Sequence, residues 1–251
     1  MIVLKSPREI DLLREAGRIA RLALDAARAM VRPGVTTSEI DLEVERVIRA
    51  HGATPEFKGY HGYPASSCIS VNEQVVHGIP GARRLKDGDI VGIDVGARIR
   101  GYVGDNAATI PVGKVTPAAQ RLVDTTRECL ELALAECVPG KRLSDIGRAV
   151  QTHAEARGYA LVRDYAGHGI GTRMHEDPQV PNYVDPVTLR RDLVLKEGLC
   201  LAIEPMLNAG TAEVYTLDDD WTVVTKDGAL SAHWEDAVAV TKDGPRVLTR
   251  A

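Results

Sequence analysis

The chain has 251 residues, 44% of them hydrophobic and 26% charged, with a formal net charge of −4. These values fit a soluble globular enzyme or binding protein of one large domain or two small ones, and no basic tail points to nucleic acid. Charges run all through MIVLKSPREIDLLREAGRIA, so neither a signal-peptide core nor a membrane span is expected; Cys68, Cys129, Cys137 and Cys200 form no CxxC pair, which fits reduced thiols in the cytoplasm.

Ser6-Pro7-Arg8-Glu9 reads as a helix start, with Ser as cap, Pro in the first turn and Glu placed to complete a capping box. Ile10, Leu13, Ala16, Ala20, Leu24 and Ala27 recur at helical spacing until Arg32-Pro33-Gly34 ends the run. Thr36 to Glu39 is a second capping box, and its helix carries Ile40, Val44, Val47 and Ile48 as far as Gly52. Residues 57–80 read as irregular, with short strands. KDGDIVGID predicts a turn and a buried strand that ends at Asp94; a turn near Arg98–Gly101 and a second strand around GDNAATIPVG follow. Thr116-Pro117 opens a long helix that Pro139-Gly140 is expected to stop.

The second half then starts over. Pro33-Gly34 with Ser38-Glu39-Ile40 is answered by Pro139-Gly140 with Ser144-Asp145-Ile146, and both lead to a helix closing on glycine, at Gly52 and Gly158. His77-Gly78-Ile79 is answered by His168-Gly169-Ile170, KDGDIVGID by KEGLCLAIE, and DNAATI by EDAVAV. Matches that keep the same order imply an internal duplication within one domain spanning residues 1–251. Helices followed by antiparallel strands, twice over, predict an α+β fold: two related halves, a curved sheet and helices on its outer face.

Strand side chains alternate faces, so Asp94 shares its face with Gly92, Glu204 with Ala202, Asp105 with Ala107 and Glu235 with Ala237. Each acid therefore has a very small neighbour, which leaves room beside the carboxylate. A lone acid at a strand end is most often a turn former or a surface charge. Four that meet at the centre of a repeat need compensation, because like charges in a dry cleft would force some to stay protonated. No Lys or Arg lies on those strand faces. A pair of divalent ions about 3.5–4 Å apart would supply the charge, with His168 in GHGIG as the natural imidazole partner.

His77, Asp94, Asp105, His168, His175, Glu204 and Glu235, carried by GYHGYPASSCISVNEQVVHGIP, GIDVG with GYVGD, GHGIGTRMHEDPQVPN, AIEPM and SAHWEDAVAVT, resemble methionine aminopeptidase, of the creatinase/aminopeptidase family with the pita-bread fold. The stretches run in order over almost the whole chain. The resemblance implies Asp94, Asp105, His168, Glu204 and Glu235 as ligands of two divalent ions (Co, Mn, Fe or Zn), with Asp105 and Glu235 bridging. Short length without a large insertion or a zinc-binding extension looks like the bacterial type I enzymes; prolidase-like relatives usually carry a further domain.

By the same resemblance, Glu204 is the general base, His175 donates to the scissile carbonyl and His77 contacts the scissile nitrogen. Phe57, Tyr60, Tyr63, Cys68, Met174 and Trp221, with His77 and His175, line the methionine slot. Asn72 and Ser231 match positions that help hold a monovalent cation (Na or K). The implied substrate is the N-terminal Met of nascent polypeptides, with a small second residue preferred. The implied setting is a cytoplasmic monomer in transient contact with ribosomes, without membrane or nucleic-acid specificity. Val103, Met174 and His233 depart from the usual residues, and alternation places His233 on one strand face with Glu235, where a hydrogen bond to the site is expected. Two alternatives stand beside this reading: a relative with Xaa-Pro specificity, and a binding protein on the same fold, which would have lost ligands.

Overall fold

Two capping boxes set the entry of the chain. In the computed structural model, which describes residues 2–190 and 192–250, helix α1 spans Pro7–Met30 and α2 spans Thr37–Ala50. The Ser6 hydroxyl accepts from the Glu9 amide and the Glu9 carboxylate accepts from the Ser6 amide; Thr36 and Glu39 make the same exchange. Helix α3 (Pro117–Ala135) starts under a Thr116 cap, and α4 (Leu143–Glu155) starts where the Asp145 carboxylate accepts from the Arg142 amide. The end of α3 falls at Ala135, earlier than Pro139-Gly140, because Glu136 and Cys137 already turn back onto the Ala133 and Leu134 carbonyls.

The main sheet among the described residues has nine strands. Its path runs Thr54–Pro55, Ile90–Ile99, Tyr102–Pro111, Glu235–Thr241, Cys200–Ile203, Gly167–Gly169, Glu176–Val180, and every pairing along it is antiparallel. Cys68–Val71 and Gly244–Val247 join it from the side. The strand carrying Asp94 does not end there. It continues to Ile99 and forms a long hairpin with Tyr102–Pro111, so Asp94 lies in mid-strand with neighbours on both edges.

Alternation sorts the sheet into two faces. Val91, Ile93, Val95 and Ala97 pack under α1 and α2, while Leu201, Ile203, Val238 and Val240 pack under α3 and α4. Helix α1 comes closest at Gly104, where a Cβ would collide with the backbone of Ala16 and Gly17. The opposite face carries Gly92, Asp94 and Gly96 on one strand and Asp105, Ala107 and Thr109 on the next, in register.

The likeness of the two halves is written in hydrogen bonds. The Gly34 amide donates to Leu85, and the Gly140 amide donates to Leu195. Thr36 bridges Arg84 as Arg142 bridges Val194. The Gly88 amide donates to Val112, and the Gly198 amide to Val240. Each half is a helix pair covering its own strands, and the two sets of strands join where Tyr102–Pro111 meets Glu235–Thr241.

Candidate metal centre and substrate cavity

The seam between the halves gathers the acids. Ala107 stands opposite Asp94 on one side and opposite Glu235 on the other. Ala202 likewise stands opposite His168 on one side and Ala237 on the other. The small residues at the middle of each triplet keep the face open, and the larger polar groups converge over them. Ligand atoms of Asp105, His168 and Glu235 lie within 4.8 Å of one another, and all three residues are buried. His168 Nε2 lies 3.7 Å from Asp105 Oδ2 and 3.5 Å from Glu204 Oε1.

The His168 ring is set by its other nitrogen. Nδ1 lies 2.9 Å from the Gly169 carbonyl, which only accepts, so Nδ1 carries the proton and Nε2 presents a lone pair. Burial, then the neighbouring His175, lowers its pKa to about 4, so the ring stays neutral near pH 7. A lone pair therefore faces carboxylate oxygens. Asp94 Oδ1, Asp105 Oδ1 and Glu235 Oε1 are buried and have no hydrogen-bond partner.

The electrostatics follow from the geometry. Burial pushes the Asp105 carboxyl up to about 7. Burial, then the charge of Asp105, pushes Asp94, Glu204 and Glu235 well above the ordinary carboxylate range. No lysine or arginine is among the main causes acting on these four groups. Such a donor set fits divalent ions: hard oxygens, one oriented imidazole, orphaned lone pairs and, among the described residues, no competing cation.

Beside the acids is a cavity of about 180 Å³, lined by Phe57, Tyr63, Cys68, Met174 and Trp221 among others. Drug-sized pockets run to about 300–1,000 Å³, so this one takes a single side chain. Phe57 lies over Gly96, where any Cβ would strike its ring. Cys68 pairs with Asp94 across the sheet, which puts its thiol beside the acids. The Tyr63 hydroxyl donates to the Ser67 and Gly78 carbonyls, leaving its ring edge-on to Trp221 at 5.0 Å. These walls are apolar and sulfur-bearing, which suits a flexible thioether.

His77 and His175 guard the cavity from two sides. His77 sits in the left-handed region (φ 58), its ring against Tyr165 at 5.5 Å and Trp221 at 6.4 Å. Burial, then His175, lowers its pKa to about 4. His175 shares a 2.7 Å hydrogen bond between Nδ1 and the Tyr60 hydroxyl, and its ring lies 4.4 Å from that of His168.

All the expected ligands and slot residues line this one cavity; Asn72 and Ser231 do not. Those two meet elsewhere, where the Ser231 amide donates to the Asn72 carbonyl and Asn72 Oδ1 already accepts from Ile90. The placement of His233 needs correction. The strand breaks at Trp234, so His233 belongs to a separate sheet with Met206–Asn208 while Glu235 belongs to the main one. His233 Nε2 is buried without a hydrogen-bond partner, so the expected bond to the site is not made. Sequence reasoning missed Tyr165 and Ala166, which also line the cavity. Ala166 lies two residues before His168, and that alternation could have found it.

The model of metallopeptidase family M24 matches residues 11–242. The chain is 50% identical over 250 residues to methionine aminopeptidase 1 of Bacillus subtilis, covering 100% of both. It is 46% identical over 250 residues to methionine aminopeptidase of Escherichia coli, covering 99% of this chain and 94% of that one. Among solved structures, methionine aminopeptidase from Thermotoga maritima superposes with a TM-score of 0.96 at 42% identity, covering 100% of both chains. Prolidase from Pyrococcus furiosus superposes with a TM-score of 0.79 at 25% identity, covering 99% of this chain and 66% of that one.

Proposed function

The chain belongs to metallopeptidase family M24, with the pita-bread fold, and is a methionyl aminopeptidase of the bacterial, type I-like kind; from this we propose that it acts by two-metal hydrolysis on polypeptides whose second residue is small. That it is a metal-dependent enzyme removing N-terminal methionine follows from the family and the donor cluster. The observation that carries the finer reading is the buried set of lone pairs. Asp94, Asp105, His168, Glu204 and Glu235 converge with no lysine or arginine among the described residues to balance them.

These five residues would hold the ions. When bound, divalent ions would supply Lewis-acid polarisation and an acidified water. Glu204 takes a proton as the water attacks the scissile carbonyl, and hands it on to the departing nitrogen. His175 shares the hydrogen bond of Nδ1 with the Tyr60 hydroxyl; in the tautomer protonated on Nε2 it donates to the carbonyl oxygen, where negative charge develops. His77 contacts the scissile nitrogen. The methionine side chain fills the cavity of Phe57, Tyr60, Tyr63, Cys68, Met174 and Trp221. The His77, Tyr165 and Trp221 rings pack together at the wall of the cavity, which supports preference for a small second residue.

Main-sheet strands come from both halves, which supports reading residues 1–251 as one catalytic domain. Asn72 and Ser231, joined through the backbone, would hold a monovalent cation outside the cavity. We read the enzyme as a cytoplasmic monomer that meets nascent chains near the ribosome.

The test is release of free methionine from Met-Ala-Ser, with Met-Leu-Ser and Ala-Pro-Ala in parallel, on metal-stripped protein and after adding Co²⁺ or Mn²⁺. Metal-dependent turnover of Met-Ala-Ser alone is expected. Turnover of Ala-Pro-Ala would discard the specificity, and turnover without metal would discard the mechanism.

A further inference from the structure

A lysine far from the site in sequence reaches it from behind. The Lys5 ammonium lies 2.7 Å from Glu176 Oε2, and the two side chains are only 4% and 8% exposed. Lys5 is held by the frame of the protein. Its amide donates to the Gly198 carbonyl at 2.7 Å, the Gly198 amide donates to Val240 in the main sheet, and the next residue, Ser6, caps α1. The ammonium thus has a fixed origin.

Glu176 stands at the exit of a turn, residues 170–175, that carries Met174 and His175. Its backbone pairs with Gly169, at the entry of the same turn. Its second oxygen, Oε1, accepts from the Arg173 amide at 3.2 Å, inside the turn. The Gly171 amide donates to the Arg173 carbonyl, and the Gly171 carbonyl accepts from Val103 of the main sheet. The packing leaves no slack: a Cβ on Gly171 would collide with Glu176 Oε1 and lie 2.6 Å from Lys5 Nζ. Burial alone would raise the Glu176 carboxyl, but the Lys5 hydrogen bond and the Arg173 amide outweigh it and hold it below the ordinary range.

Glu176 turns back to Lys5, and His175 lines the cavity. His175 stands at the mouth of the cavity, its ring 4.4 Å from that of His168. What fixes it is the Tyr60 hydroxyl on one side and the anchored turn on the other. We propose that Lys5 is a positioning residue: its buried ion pair with Glu176 locks the 170–175 turn so that His175 meets the substrate in one geometry. This rests on the reading of His175 as donor to the scissile carbonyl.

Lys5→Met, Lys5→Arg, Glu176→Gln and the double variant Lys5→Met/Glu176→Gln test it against the parent protein. Two readouts are used: kcat and KM on Met-Ala-Ser with added Co²⁺, and the ¹⁵N shift of His175 Nδ1 in metal-free protein, which reports its bond to Tyr60. Lys5→Met should lower kcat about 10- to 100-fold with KM little changed, the signature of a displaced catalytic group. It should also lose the Nδ1 signature. Lys5→Arg should keep most of both, and the double variant should be less impaired than Lys5→Met, because it leaves no buried unpaired carboxylate. A Lys5→Met protein that keeps kcat, KM and the Nδ1 shift, whatever its Tm, overturns the proposal. Should Lys5→Met fail to fold, Glu176→Gln decides on the same two readouts. Failure of the parent to release methionine would instead sink the function, leaving the ¹⁵N shift to judge the pair.

Discussion

Asp94 and Glu235 flank a single residue: Ala107 pairs with one across one strand edge and with the other across the opposite edge. The methyl group is the spacer that lets the two carboxylates close over a common point, and Ala107 is 1% exposed. Ala107→Val adds bulk on the face the acids use. It should weaken divalent-metal binding by about tenfold or more, the loss typical of a disturbed surround to a metal site. Far-UV circular dichroism should stay native. Calorimetric titration of stripped protein with Mn²⁺ checks this, and unchanged affinity would show that the spacing has slack.

The metal-free protein should have an unusual pH profile. Burial holds the carboxyls of Asp94, Asp105, Glu204 and Glu235 high, with Asp105 at about 7. Burial holds His77 and His168 down at about 4, His233 at about 3, and His175 below its ordinary value. A raised carboxyl keeps a proton that the unfolded chain has released, so stability falls as pH rises from about 4 toward the folded pKa. A lowered imidazole refuses a proton that the unfolded chain takes, so stability falls as pH drops below about 6.5. The two oppose each other between those limits. Above about pH 6.5 only the carboxyls act, so Tm of stripped protein should fall from there toward pH 8. Added Mn²⁺ stabilises the ionised forms and should flatten the slope. A stripped Tm that rises over this range in scanning calorimetry would refute the account.

His175 and Glu235 should separate chemistry from metal holding. On the proposed role of His175 as donor to developing charge, His175→Ala should drop kcat about 100- to 1,000-fold. Metal affinity should hold, since the ligand atoms of Asp105, His168 and Glu235 gather without His175. Glu235→Ala should lose both. Steady-state kinetics beside metal titration distinguishes the two, and parallel losses in both variants would make His175 part of the metal shell.

Cys68 lines the cavity yet should not behave as an active thiol. Burial, then the Asp94 charge, pushes its pKa well above the free value. Thiolate is the reactive form, so little is available near pH 7. Iodoacetamide at pH 7.5 should leave Cys68 unmodified in folded, metal-free protein and label it quickly in urea. Peptide mass spectrometry reads the outcome.

Gly78 sets the place of His77. A Cβ there would collide with the Ile69 carbonyl, while the Ile69 amide donates to Gly78 at 2.8 Å. Gly78→Ala must push the chain away from that strand, and overpacking of this kind costs about 1–3 kcal/mol. Tm should fall, and kcat/KM should fall further than Tm explains. A variant with lowered Tm and full kcat/KM would detach His77 from the reaction.

Much of this was legible in the residues because the signals are local. The Ser6–Glu9 and Thr36–Glu39 boxes lie within one helical turn, and both form. The four acids and their small neighbours obey a period of two, which the pleat enforces. What escaped was set by partners distant in sequence. The strand through Asp94 runs on to Ile99 because Tyr102–Pro111 extends it residue by residue. The break at Trp234 comes from its amide donating to Pro205, which no periodicity in SAHWEDAVAV foretells. Tyr165 meets His77 only through the fold, and Lys5 meets Glu176 across 171 positions.

The seam has a consequence for how the protein comes into being. Asp94 and Asp105 belong to the first half, while His168, Glu204 and Glu235 belong to the second, and the halves join late in the chain at Ala107 and Glu235. Neither half can assemble the donor set alone, and contacts so distant in sequence form slowly. On the proposed ligand set, a growing chain lacks the full donor set until Glu235 has been added and paired. On that proposal, metal capture waits for the two halves to join.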